Sequence, residues 1–217
     1  HRVAPYCPRC GTGLSDHELA QGYETIKDPS VFVRFKATSG KLAELDASLL
    51  VWTTTPWTLV ANTAVAVNPK VEYQVVEITN EDLTERLVVA SDLASILGED
   101  RKVLATFKGS ELEHTKYIRP FDFIEIENAH YVVLADYVTV EDGTGLVHQA
   151  PAFGADDLEV CRKYNLPVAN PIEPDGHFKK EVALVGGVFF KEADKALIKD
   201  LKSVSYTHLT LPTILRV

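Results

Sequence analysis

Two segments of the 217-residue chain gather the side chains best suited to polar chemistry. Residues 51–69 read VWTTTPWTLVANTAVAVNP, and residues 143–157 read GTGLVHQAPAFGADD. Each runs from an apolar strand into a loop dense in hydroxyls, a histidine or carboxylates. Thr53, Thr54 and Thr55 precede Pro56, which lacks a backbone donor and restricts the residue before it. A strand must end there, with hydroxyls at its tip. Strand alternation would point Thr53 and Thr55 one way and Thr54 the other. A run of threonines also suits a plain strand. His148 falls late in a strand entering the second loop, where a lone histidine serves structure as readily as chemistry. Asp156 and Asp157 open a helix, where the dipole favours acids with or without a site. Cys7 and Cys10 form YCPRCG, one edge of a tetrahedral metal site with no second C-x₂-C to complete it.

The elements that must position these groups read mostly as strands. VFVRF (31–35), LLVWTTT (49–55), VEYQVVEI (71–78) and RLVVA (86–90) are strand-like in residue type and alternation. SDLASIL (91–97) reads as a short helix with Ser91 as its N-cap. HYVVLADYV (130–138) and GLVHQA (145–150) read as strands joined by the turn EDGTG (141–145). ADDLEVCRKYN (155–165) is a helix with Leu158, Cys161 and Tyr164 on its apolar stripe, stopped by Pro167. KEADKALIKDLK (191–202) is a second amphipathic helix. The expected class is mainly β with peripheral helices (α+β), as a closed or nearly closed barrel.

Composition narrows the function classes. With 46% apolar residues the chain can bury a core, and its net charge of −9 argues against a sequence-wide nucleic-acid surface. No stretch approaches the roughly eighteen apolar residues of a membrane span. Three cysteines suit a reducing cytoplasm, with Cys161 packed as a small apolar side chain. A G-x-S-x-G nucleophile string is absent, which weighs against a serine hydrolase.

The strings TTTPWT (53–58) and GTG-x-VH-x-AP (143–151) together resemble the editing domain of the isoleucyl-tRNA synthetases, a class I aminoacyl-tRNA synthetase family. The valyl and leucyl relatives usually carry TTRP, so Thr55 in place of Arg favours the isoleucyl type. The resemblance spans roughly residues 1–202. It implies the barrel of that synthetase group, with a zinc-ribbon half and connector at 1–22 and the editing domain at 23–202. It implies hydrolysis of mischarged valyl-tRNA(Ile), with His148, Asp157, Thr53, Thr54 and Thr55 in catalytic positions. Asp157 would hold the substrate ammonium, and His148 would serve as steric wall, water orienter or adenosine contact. Trp52, Trp57, Thr58 and Asn62 would bind or support substrate. The chain departs from the pattern at Val60, where proline is usual, and Thr63, where arginine is common.

The same resemblance implies no cofactor for editing. ATP and Mg belong to the parent ligase, whose HIGH and KMSKS signatures this chain lacks. Zinc on Cys7 and Cys10 is expected in the parent. The implied partner is tRNA(Ile) charged with valine, with no protein partner and no membrane, for a cytoplasmic monomer. A non-catalytic zinc-ribbon nucleic-acid module and a valyl-type editing domain are the alternatives. The chain starts at His1 and has no methionine, which reads as a piece of a longer polypeptide. VSYTHLTLPT (204–213) is the peptide a common transposon-end sequencing adapter would encode in frame. Residues 203–217 are therefore expected to be a non-native tail.

Overall fold

The computed structural model describes residues 3–15, 17–18, 29–80 and 83–203. A two-residue hairpin, β1 (Tyr6–Cys7) and β2 (Thr12–Gly13), opens the chain. β3 (Val31–Ala37) follows and places Val33, Phe35 and Ala37 on its buried face, as alternation requires. A short helix, α1 (Gly40–Glu44), returns the chain to β4 (Ser48–Thr53), which pairs antiparallel with β3. β5 (Ala64–Val67), β6 (Glu72–Asn80), β7 (Leu83–Ala90), β8 (Arg101–Lys108) and β9 (Tyr117–Ile118) follow in turn. Six of these strands form one sheet in the order β8-β6-β7-β4-β3-β9.

A second sheet has β5 at its centre. β10 (Tyr131–Leu134) lies parallel on one side and β11 (Leu146–Gln149) antiparallel on the other. All four residues of β5 are fully buried, because both of its faces are covered. Val65 and Val67 join the main core, while Ala64 and Ala66 face a cluster with Val133, Cys161 and Leu166. That cluster includes the buried side of α2 (Ala155–Lys163). The final helix, α3 (Phe190–Ser203), sends Ala193, Leu197 and Leu201 into the main core.

Several expectations are corrected here. Among the described residues the strands form two sheets rather than one closed barrel: the β9 side of the larger sheet meets β10 of the smaller only through the isolated bridge Lys116–Tyr131, and no ladder joins β8 to β11. The EDGTG turn does not join a hairpin, because the strands on either side of it pair with opposite edges of β5. The strand read over 130–138 spans only 131–134. Beyond it Asn68 Nδ2 donates to the carbonyls of Asp136 and Val138, which draws the chain into a turn. The strand read through Thr55 stops at Thr53, and Pro56 starts a 3₁₀ helix (Pro56–Ala61). The segment 91–97 is also 3₁₀. Ser91 does not cap it but donates to Glu72 Oε1 at 3.0 Å. The proposed boundary at residue 22 and the tail reading beyond Ser203 lie outside the described residues. Among the described residues, no helix is long and apolar enough to cross a membrane.

Candidate active site

The end of β4, the 3₁₀ turn after it, the end of β11 and the start of α2 meet around a cleft of about 380 Å³. Its lining includes Trp52, Thr53, Thr54, Thr55, Trp57, Thr58, His148 and Asp157, residues the sequence placed in two separate strings. β11 and β4 belong to different sheets, so the cleft sits where the sheets abut.

One wall is a chain of hydroxyls whose proton directions can be derived. Thr58 Oγ1 lies 2.7 Å from the Thr55 carbonyl, which only accepts, so Thr58 spends its single proton there. Its 2.8 Å contact with His148 Nε2 must then be donated by the imidazole. By the same logic Thr55 Oγ1 donates to Thr58 Oγ1 at 3.1 Å, and Thr53 Oγ1 donates to Thr55 Oγ1 at 3.3 Å. Thr53 Oγ1 also accepts the Thr55 N–H at 3.1 Å, which sets the sharp turn after the strand. His148 therefore carries its proton on Nε2. Burial holds its pKa at about 4, so the ring is neutral near pH 7. Its Nδ1 faces Asn62 Nδ2 at 3.5 Å. Asn62 is fully buried behind His148 and does not line the cleft. Thr58, with one proton given and two accepted, has no hydrogen-bonding capacity left. Thr54 lines the cleft and makes no side-chain hydrogen bond to the described residues.

The other wall presents a carboxylate. Asp157 is the third residue of α2, and its Oδ2 accepts the Ala150 N–H at 2.9 Å. Oδ1 accepts from the Tyr137 hydroxyl at 3.4 Å. Tyr137 in turn accepts from Gln149 Nε2 at 2.7 Å. Burial raises the Asp157 pKa, while the Ala150 and Tyr137 donors oppose that rise. Gly154 makes this arrangement possible: a Cβ there would lie 2.7 Å from the Asp157 carboxyl carbon. Asp156 points into solvent.

Trp57 is the aromatic support. Its ring packs edge-on to Phe153 at 4.7 Å and tilted on Phe190 at 4.6 Å, tying the cleft to α3. Trp52 packs against Gly143, where a Cβ would sit 3.0 Å from its ring. Ala150, Phe153 and Gly154 also line the cleft, and Tyr137 reaches it through Asp157. The first three lie inside the quoted second string. Nothing in the sequence ties Tyr137 to it. Cys7 and Cys10 do not line the cleft but lie on the β1–β2 hairpin, where Gly11 N–H donates to the Cys7 carbonyl at 2.9 Å. The two thiols influence each other, Cys7 being pushed below and Cys10 above the usual thiol pKa. Two thiols are one edge of a tetrahedral zinc site, and no third His, Cys, Asp or Glu joins them among the described residues.

Comparisons with known proteins converge on one family. The profile described as "Leucyl-tRNA synthetase, editing domain" matches residues 33–192. The isoleucine–tRNA ligase of Streptomyces coelicolor is 64% identical over 206 residues, covering 94% of this chain. That of Thermus thermophilus is 48% identical over 217 residues, covering 96%. The chain spans only 19% and 20% of the lengths of those two ligases. Among solved structures, the GlLeuRS-CP1 crystal structure superposes with a TM-score of 0.66 at 15% identity, covering 87% of this chain and all of that one. The P. knowlesi cytosolic leucyl-tRNA synthetase editing domain gives 0.61 at 14% identity, covering 86% and 97%. These two show the fold. With three quarters of the chain inside the family profile, a cleft built from both signature strings and high identity to isoleucine–tRNA ligases, the chain belongs to the synthetase editing-domain family, as a member of its isoleucyl branch.

Proposed function

We propose that this domain hydrolyses the ester between valine and the terminal ribose of tRNA(Ile). The observation that carries this reading is one cleft holding both the Thr53–Thr55–Thr58–His148 chain and the Asp157 carboxylate. Asp157 takes the substrate ammonium, which relieves the cost of its partly buried charge. Thr54, with its hydroxyl uncommitted to the described residues, is placed to meet the ester or ribose. Water adds to the carbonyl carbon, the bond to the ribose oxygen breaks, and valine and free tRNA leave. His148 is neutral with its Nε2 proton engaged by Thr58, so in this state it forms the wall and holds the hydroxyl chain rather than abstracting a proton. A second pocket is needed because one methylene gives only about 1–3 kcal/mol of discrimination, a magnitude for which isoleucyl-tRNA synthetase is itself a standard example.

On this reading the partner is tRNA(Ile) charged with valine, bound and hydrolysed by a cytoplasmic monomer. Editing needs no cofactor, while ATP and Mg serve the ligase reaction elsewhere in the parent. Zinc would be shared between Cys7, Cys10 and two ligands supplied by the rest of the parent. The test is a deacylation assay. Valine should be released from valyl-tRNA(Ile) faster than isoleucine from the cognate ester. Equal rates on both, or preference for threonyl-tRNA(Val), would sink the assignment.

A further inference from the structure

Among the described residues, no lysine or arginine lines the cleft, and the chain as a whole bears a net charge of −9. A tRNA whose 3′ ester enters this cleft leaves a phosphodiester strand outside it, and that strand needs cations along its path. The outer face of α3 carries them. Ala193, Leu197 and Leu201 enter the main core, while Lys191, Lys195 and Lys199 each lie two residues from one of these positions, about 200° around the helix. Lys202 continues the same stripe toward the C-terminal end. Lys195, Lys199 and Lys202 are exposed and make no ion pair among the described residues.

The energetics of the helix do not call for this stripe. The dipole favours Lys202 in the last turn but disfavours Lys191, the second residue of α3. Lys191, Lys195 and Lys199 are spaced four apart, and like charges at that spacing oppose helix formation. The stripe also starts beside the cleft. Phe190 packs against the Trp57 ring, and Asp194, one turn from Lys191, accepts the Trp57 N–H at 2.9 Å. From Lys191 to Lys202 it extends about 16 Å along the helix. We propose that the lysine stripe of α3 receives the phosphodiester backbone of the tRNA 3′ strand as that strand leaves the cleft. Its ammonium groups meet phosphate oxygens and displace counterions, and they read no base. An acidic protein surface would meet the same lysines, but only the RNA strand is tied to the cleft by its own ester. That choice of partner rests on the function proposed above.

The test is binding of uncharged tRNA(Ile) to the 217-residue chain, followed by fluorescence anisotropy across a range of salt concentrations. The triple variant Lys195→Gln, Lys199→Gln, Lys202→Gln removes three exposed charges and keeps good helix formers. The control, Lys70→Gln, Lys102→Gln, Lys116→Gln, removes the same charge from exposed lysines elsewhere in the fold. Each phosphate contact on a single strand contributes about 0.7 to the slope of log affinity against log salt. The α3 variant should therefore lower that slope by about 2, and the control should leave it alone. In deacylation of valyl-tRNA(Ile) at low salt, the α3 variant should raise KM by about tenfold with kcat unchanged. Should the triple variant fail to fold, Lys195→Gln, Lys199→Gln and Lys202→Gln made singly should each lower the slope by about 0.7. An unchanged slope in the α3 variants overturns the proposal and leaves the stripe to solvent or to an acidic protein surface. An equal fall in the control marks an effect of net charge and overturns it too, as does an unmodified chain whose binding of tRNA(Ile) ignores salt. If the slope falls as expected while no form releases valine, the function proposed above fails and the RNA-binding surface stands.

Discussion

Asp156 and Asp157 are neighbours in sequence with different surroundings, and that contrast makes an internal control. Asp157→Ala removes the carboxylate that Ala150 and Tyr137 hold against the cleft. Losing a charge-assisted partner for the substrate ammonium should cost roughly 1.5–3 kcal/mol, about ten- to a hundredfold in deacylation. Asp156→Ala loses only a first-turn dipole contribution of about 0.3–1 kcal/mol, read in thermal midpoint. If Asp157→Ala lowers the midpoint but leaves deacylation intact, Asp157 is a helix-start residue only. The histidines set the pH dependence. His148 and His130 titrate at about 4 in the folded chain against an ordinary 6.5. The unfolded chain therefore binds protons first as pH falls. Stability is full above about 6.5 and is lost progressively down to about 4, by roughly 3 kcal/mol for the buried His148 and by less for the partly exposed, solvent-screened His130. Thermal midpoints measured across that window should fall steeply, and His148→Gln should flatten the slope; an unaltered slope would remove His148 from the account. At this scale the sequence was informative where a site is local. Thr53, Thr55, Thr58, His148 and Asp157 sit in two short strings. Tyr117 and Tyr137 were not legible, because they meet Asn62 and Asp157 only after folding, from elements far away along the chain.

Gly154 shows how an element's start serves the site. It is the N-cap of α2 with an ordinary φ of −114°, so its value lies in space rather than in conformational freedom. Gly154→Ala would place a methyl 2.7 Å from the Asp157 carboxyl carbon and 2.8 Å from Oδ2, forcing the carboxylate off the Ala150 N–H. Deacylation should fall about as far as in Asp157→Ala, roughly tenfold or more, since the same charge-assisted contact is lost. The helix should persist in circular dichroism. Full activity in Gly154→Ala would mean the carboxylate is not needed where the structure holds it. Element identity was readable where patterns were long: the helices at 155–163 and 190–203 follow their apolar stripes. β5 was not read, because AVAV buries both faces and has neither alternation nor length. β8 was not read either, because its only buried residue is Phe107. Pairing was the least legible: strands 131–134 and 146–149 flank a turn-rich loop that suggests a hairpin, yet β5 lies between them.

At the scale of the molecule, the cleft depends on the helix most distant from it in sequence. The 3₁₀ helix after the threonines begins with Pro56, and its next donor, Trp57 N–H, has no partner of its own within that turn. Asp194 of α3 supplies one, accepting from Trp57 N–H at 2.9 Å across 137 residues. The same helix buries Ala193, Leu197 and Leu201 in the main core, and Phe190 at its start packs at a tilt against the Trp57 ring. α3 is thus both core and cap, and it holds the aromatic support of the cleft from behind. The amphipathic pattern of residues 191–202 announced a packed helix but did not mark Asp194, an acid on the buried side whose partner is a backbone donor. Asp194→Ala would leave the Trp57 N–H without that acceptor, at a cost of about 1–3 kcal/mol. For a domain of this size each kcal/mol lowers the thermal midpoint by roughly 2–4 °C. Asp194→Asn keeps an acceptor and should lose less. Because Trp57 also packs on Phe153 in the cleft wall, deacylation by folded Asp194→Ala should fall with stability, and Asp194→Asn should recover both. A lowered midpoint with undiminished hydrolysis per folded molecule would show that α3 supports the core alone, and that the wall built by Trp57 stands without it.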